Sequence, residues 1–200
     1  MSPVGDRTRR TEISQAEESM EGTHVALMRG INVGGKNKLP MKDVVALFEK
    51  VGCRSVRTYI QSGNVVFQGD PAVAESVVDE VPRRIAKRFG YWVPVVLRSA
   101  EELRDAATRN PFVAEQPDPK HLHVGFLADA PDSDAVASLD PARSTGDRFA
   151  VLGREVYLHV PGGMARTKLT TDYFDRRLDT VMTVRNWRTV SRLLEMVVAT

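Results

Sequence analysis

The segment Arg29–Lys38 holds the residues whose types and spacing could do chemistry. Gly30, Gly34 and Gly35 would let backbone amides converge where side chains would block approach. Lys36, Lys38 and Lys42 are basic, and no acid falls between Arg29 and Asp43. An apolar run, Val25–Met28, precedes the segment, and Pro40 suits the first turn of a following helix. Between a strand and a helix start, amides and the helix dipole favour anions. Gly30 to Lys36 even matches G-x-x-x-x-G-K. A magnesium-holding P-loop then needs Ser or Thr, where this chain has Asn37, and the helix begins several residues too late. The expectation is therefore a cradle for an anionic group, with Arg29, Gly30, Asn32, Gly34, Gly35 and Lys36 as ligand-binding residues.

Two further segments complete the candidate site. Gln61-Ser62-Gly63-Asn64 displays amide and hydroxyl groups on a short turn, so Gln61, Ser62 and Asn64 could position a ligand. The same composition is also ordinary hairpin chemistry. Residues 166–192 contain seven Lys or Arg against three Asp. Lys168 precedes one expected helix. Arg185-Asn186-Trp187 is read as the start of the last helix, where a guanidinium is disfavoured by the dipole and a bound anion would offset the cost. Lys168, Arg185 and Asn186 join the candidate set.

Other constellations fall short. His121 and His123 should share one strand face, but two histidines lack the third ligand that catalytic zinc wants, so no metal is expected. Nor is a cofactor. Cys53 is the single cysteine, which excludes a disulfide framework and fits a reducing compartment.

The elements that must position these residues follow from periodicity. Val44, Val45, Phe48 and Val51 mark a helix ended by Gly52. Val56–Ile60 and Val65–Phe67 form a hairpin around residues 61–64. Pro71–Phe89 is helical, with Pro82 expected to kink or split it. Tyr91–Leu97 is a strand whose Pro94 argues for an edge. The order β-α-β-β-α-β is the split βαβ, or ferredoxin-like, unit. After a capping box at Ser99 and Glu102, the strand Leu122–Leu127, a helix within 131–139, a hairpin turned at Gly153-Arg154 and two closing helices give β-α-β-β-α-α. That is a partial echo of the first half. The fold class is thus α+β: two ferredoxin-like halves, mainly antiparallel sheets with helices packed on them. The expected division is a disordered tail over 1–22, a first half over 23–98, and a second half with C-terminal helices over 99–200. Met20, just before the first strand, is a candidate natural start of translation.

Composition bounds the function classes. The chain has 200 residues, 42% hydrophobic and 27% charged, with a net charge of +2, too small to identify a partner. No apolar run approaches the roughly 20 residues of a spanning helix. Aromatic residues make up 6%, a poor stacking platform for nucleic acid, which ranks below a small anionic ligand. Three functions remain: a binding protein for a phosphate-bearing or other anionic ligand, an enzyme acting on a phosphorylated or carboxylated small substrate, and a partner-binding domain without catalysis. Oligomeric state is not legible.

Several blocks in order carry a family resemblance: 25–35 with Leu39-Pro40-Met41, then 59–67, Asn110-Pro111-Phe112, Leu122-His123-Val124, Val156-Tyr157-Leu158, Thr167-Lys168-Leu169-Thr170 and 183–190. Together they resemble the domain of unknown function family 1697. The resemblance implies a bacterial cytoplasmic protein of two ferredoxin-like halves and carries over no catalytic residue. Thr167 stands where a serine is expected before Lys168.

Overall fold

The computed structural model describes residues 22–115 and 117–199. The expected tail up to Glu21, and with it Met20, lies outside the described residues; Gly22 is the first residue of a strand. The first half runs β1 (Gly22–Met28), α1 (Met41–Glu49), β2 (Arg54–Tyr59), β3 (Asn64–Gly69), α2 (Pro71–Phe89) and β4 (Val95–Ser99). A linking helix α3 (Ala100–Thr108) leads to β5 (Leu122–Leu127), α4 (Ser133–Ala137), β6 (Arg148–Leu152), β7 (Glu155–His159), α5 (Thr171–Leu178), β8 (Met182–Asn186) and α6 (Trp187–Val198).

The two sheets have the orders β2-β3-β1-β4 and β6-β7-β5-β8, and every pairing is antiparallel. The second half is therefore a complete β-α-β-β-α-β unit. The sequence expectation lacked β8 and placed Arg185 at a helix start. Arg185 instead lies on β8, opposite Val124 of β5. β4 is an edge strand, as Pro94 argued, although the strand begins only after that proline, whose carbonyl accepts from the Arg29 amide.

Local chemistry accounts for the boundaries. Asp70 accepts from the Val73 amide, Pro71 occupies the first helical position, and Gly90 closes α2 at φ 81°. Pro82 does not split α2, which runs through it for 19 residues with the proline buried. Packing of the Val77, Val81 and Ile85 stripe outweighs the one lost backbone bond. Ser99 and Glu102 form the capping box at α3.

Alternation along the strands sends side chains to three cores. Ala26, Met28, Val65 and Phe67 pack against Val44, Phe48, Val77 and Ile85 of α1 and α2. Leu127, Val156, Leu158 and Met182 pack against Tyr173, Phe174 and Leu178 of α5. The opposite faces of both sheets share a central core. There Val25, Leu27 and Val66 meet Val124, Phe126 and Tyr157, with Leu103 of α3 and Val190 and Leu193 of α6 between them. Burying each such side chain contributes about 1.5–3 kcal/mol. The halves are thus joined through a continuous apolar layer. No helix among the described residues is long and apolar enough to cross a membrane.

Candidate functional site

The loop after β1 is built on left-handed residues. Gly30, Gly34 and Gly35 have φ of 73°, 58° and 75°, and Asn32 and Asn37 have 55° and 48°. A side chain added at Gly34 or Gly35 would meet open space, so these glycines serve backbone conformation rather than close packing. The Asn32 amide donates to the Asn37 carbonyl, and the Lys36 amide to that of Val33. Asn32 fastens the loop: its Nδ2 donates to the Leu39 and Gln61 carbonyls, both at 2.9 Å, and its Oδ1 accepts from the Leu39 amide. Asn37 Nδ2 donates to the Gly30 carbonyl. The loop thus spends much of its hydrogen bonding on itself. Lys36 and Lys38 are exposed.

Between this loop, the start of α1 and the turn at 61 lies a depression of about 490 Å³. Asn32, Gly35, Lys38, Pro40, Met41 and Gln61 line it, with Leu39 at its base. The N-cap of α1 is Pro40, and no side chain caps that end. The first-turn amides of Met41 and Lys42 have no acceptor inside the helix, as first-turn amides must. The depression therefore combines an uncapped helix start, whose first-turn Asp43 carboxylate is held by Arg88 at 2.7 Å, with the Lys38 ammonium and the Gln61 carboxamide. Beside it, Ile60 holds φ 49° while 53% exposed. A β-branched residue in that region is strained, by about 1–2 kcal/mol. Val33 is 64% exposed on the loop.

The remaining expected site residues do not line this depression. Arg29 donates to Asp172 Oδ1 at 3.1 Å, to Thr171 Oγ1 at 3.4 Å and to Asp175 through a short contact. Its charge is met by carboxylates of α5 rather than left for a ligand. Arg185 is buried between the halves. Its Nε donates to Asn64 Oδ1 at 2.5 Å and its Nη2 to the Met28, Ser62 and Gly63 carbonyls. Burial pushes its pKa down to about 10, which leaves it charged at neutral pH. Asn64 Nδ2 donates to the Tyr59 carbonyl and Ser62 Oγ, so both side chains serve the hairpin. A Cβ at Gly63 would fall 2.7 Å from Met28 Cβ, which keeps that turn glycine against the end of β1. Lys168 is exposed in the second half, its amide donating to Ser144 Oγ and its carbonyl accepting from Arg143 Nε. Asn186 caps α6, accepting from the Thr189 amide, and lines a separate cavity.

Of the twelve expected residues, the structure groups Asn32, Gly35 and Gln61 around one depression. Lys38, Pro40 and Met41 of the same depression were absent from that set. The sequence reading set Pro40 in the first helical turn, whereas it is the N-cap residue and has no side-chain acceptor to offer. The two-histidine expectation changes too: His121 ends a 3-10 turn, and only His123 lies on β5. Among the described residues no group of three or more His, Cys, Asp or Glu is placed to hold a metal ion. Cys53 is buried, and desolvation raises its thiol pKa to about 11.

A further cavity, about 660 Å³, lies along the β4 edge among Pro71, Val78, Val95, Leu97, Ala128 and Arg154. None of the expected site residues lines it.

Known proteins place the chain by fold and family. A conserved bacterial protein of Streptococcus pneumoniae, SP0830, has a similar structure: TM-score 0.68 and 22% identity over 88% of this chain and 99% of that one. At that identity the likeness concerns the fold. No curated protein matches the chain. The family described as "Protein of unknown function (DUF1697)" matches residues 21–157. The chain therefore belongs to the DUF1697 family.

Proposed function

We propose that this protein binds a small phosphate-bearing or other anionic ligand, seated in the depression at the start of α1. The observation that carries the reading is the uncapped helix start, opening beside Lys38 and Gln61 into a space of about 490 Å³. A phosphoryl group there would accept from the Met41 and Lys42 amides and from Lys38. Ile60 and Val33, exposed and apolar nearby, favour a ligand with an apolar portion beside its charge. The site uses a smaller part of the Gly-rich loop than the sequence expectation did. Arg29, Asn64 and Arg185 support the fold instead.

The reading is tested by calorimetric titration with inorganic phosphate and with phenyl phosphate at low ionic strength. Phenyl phosphate is expected to bind more tightly, and Lys38→Ala to weaken it about tenfold, the worth of one charge-assisted hydrogen bond. Absence of binding by both compounds, or equal binding by Lys38→Ala, overturns it.

A further inference from the structure

β4 is the outer strand of the first sheet. The Arg29 amide donates to the Pro94 carbonyl, and β4 pairs Val96 with Leu27 and Arg98 with Val25. Bonding alternates along an antiparallel ladder. Pro94, Val96 and Arg98 therefore turn their main chain toward β1, while Val95, Leu97 and Ser99 turn theirs outward. Two outward groups are used locally: the Ser99 amide donates to Glu102, and the Leu97 carbonyl accepts from Arg98 Nη1. The Val95 amide and carbonyl and the Leu97 amide have no partner among the described residues.

The second half shows how the same position is closed. Met182 stands opposite Leu127 as Val95 stands opposite Met28, and the Ala128 amide donates to the Val181 carbonyl as the Arg29 amide does to that of Pro94. The outward Met182 amide donates to Asp175 Oδ1 at 2.8 Å, and the other oxygen of that carboxylate meets Arg29. In the first half Ala128 takes the place of Arg29, and no carboxylate accepts from the Val95 amide. The groove of about 660 Å³ lies there, with Ala74 and Val78 of α2 on one side and Ala128 on the other. Its lining holds Glu75, Glu102 and Asp129 against Arg154, and Arg154 is taken by Glu102. Glu75 and Asp129 are exposed, and no cation among the described residues pairs with either. The groove is therefore acidic.

We propose that β4 is a docking edge for an extended basic peptide segment of a partner protein, added as a fifth strand of the first sheet. Carbonyls of the segment accept from the Val95 and Leu97 amides, and one of its amides donates to the Val95 carbonyl. Its alternate side chains lie along Val78 on one face and Ala128 on the other, and its cations meet Glu75 and Asp129. β4 has five residues, about 16 Å, so a segment of about five to seven residues fills the edge. A second copy of this chain is a poorer occupant, because isologous pairing brings the same carboxylates to both sides of the seam. The edge shares no residue with the depression at α1.

The test is titration of the full chain with a capped heptapeptide of alternating lysine and valine, followed by NMR of the Val95 and Leu97 amides. Two control peptides accompany it. One carries glutamate in place of lysine. The other is N-methylated at each internal amide, which keeps the charge but cannot join a ladder. The lysine–valine peptide is expected to move both amides saturably and to bind at least about tenfold more tightly than the glutamate peptide, while the N-methylated peptide does not bind. Glu75→Lys should weaken binding about tenfold, and Glu75 is exposed, so its replacement leaves the fold intact. Unmoved amides, equal binding by either control, or wild-type affinity in Glu75→Lys each overturns the proposal. Movement of the same two amides on dilution of the chain alone overturns it in favour of a second copy, and their movement on removal of residues 1–21 in favour of the chain's own amino-terminal segment. The amides of Gly35, Lys38 and Met41 report the α1 depression in the same spectra, so failure at one site is distinguishable from failure at the other.

Discussion

Arg98 and Arg185 make corresponding contacts in opposite directions. Each lies on the last strand of its half, opposite a valine of the first strand: Val25 for Arg98, Val124 for Arg185. Each gives Nη1 to the carbonyl of its preceding residue, Leu97 or Val184. Each then crosses to the other half. Arg98 Nη2 donates to the carbonyls of Leu127, at the end of β5, and Arg154, in the β6–β7 turn. Arg185 Nη2 donates to those of Met28, at the end of β1, and Ser62 and Gly63, in the β2–β3 turn. Nε completes the match, to Glu155 at 3.0 Å from Arg98 and to Asn64 from Arg185.

Removing Arg185 takes the guanidinium donor from the Met28 carbonyl, and removing Arg98 takes it from the Leu127 carbonyl and leaves Glu155 a buried carboxylate without its cation. We expect Arg185→Met and Arg98→Met each to cost about 3–5 kcal/mol in urea unfolding. Arg98→Met with Glu155→Leu should recover part of that loss, because the stranded charge is gone. The shared central core leads us to expect a single unfolding transition in each case.

Cys53 is expected to resist thiol reagents. With a pKa near 11, its thiolate is scarce at pH 7.5, and the side chain is buried. Labelling by a maleimide in native buffer should be slow, and 6 M guanidinium should make it fast. Rapid native labelling would contradict the placement.

Acid should weaken the fold through two desolvated imidazoles, His123, which is buried, and His24, which is half-buried. Desolvation holds His24 and His123 below the usual histidine value. The unfolded chain therefore binds protons that the folded chain does not. Stability is full above the unfolded value of about 6.5 and declines as pH falls below it, until the lowered folded values are reached. The slope is at most about 1.4 kcal/mol per pH unit for each ring. His24 also has an unpartnered Nε2 and stacks on Phe67 at 5.4 Å. His24→Phe should keep the stacking and flatten the decline between pH 7.5 and 5.5, read from urea midpoints in phosphate-free buffer.

Ile60→Gly separates stability from binding. Glycine relieves the left-handed strain while removing exposed apolar surface beside the α1 depression. Thermal unfolding should show a gain of about 0.5–1 kcal/mol. Phenyl phosphate affinity should fall toward that of inorganic phosphate.

Much of the fold was legible because its punctuation is local. Asp70, Pro71 and Gly90 delimit α2, Ser99 and Glu102 start α3, and Gly153-Arg154 marks the turn into β7. β8 was not legible. Its five residues, Met182 to Asn186, carry Arg185 where an apolar side chain would normally announce a buried strand. That arginine is buried only because another half supplies carbonyls, a fact no local window contains. The same limit applies to the site. Arg29 and Asp175 are 146 positions apart, so their pairing could not be anticipated from the loop alone. The glycine-rich spacing did indicate the loop's left-handed turns. Which of its polar groups stay available depended on Asn32, whose side chain holds the loop closed.

The paired arginines grip mostly main-chain oxygens, and every residue has one. Replacing Ser62, Leu127 or Arg154 therefore changes no acceptor that the guanidiniums use. The join between the halves can tolerate wide drift in the turns it grasps, provided two cationic side chains persist.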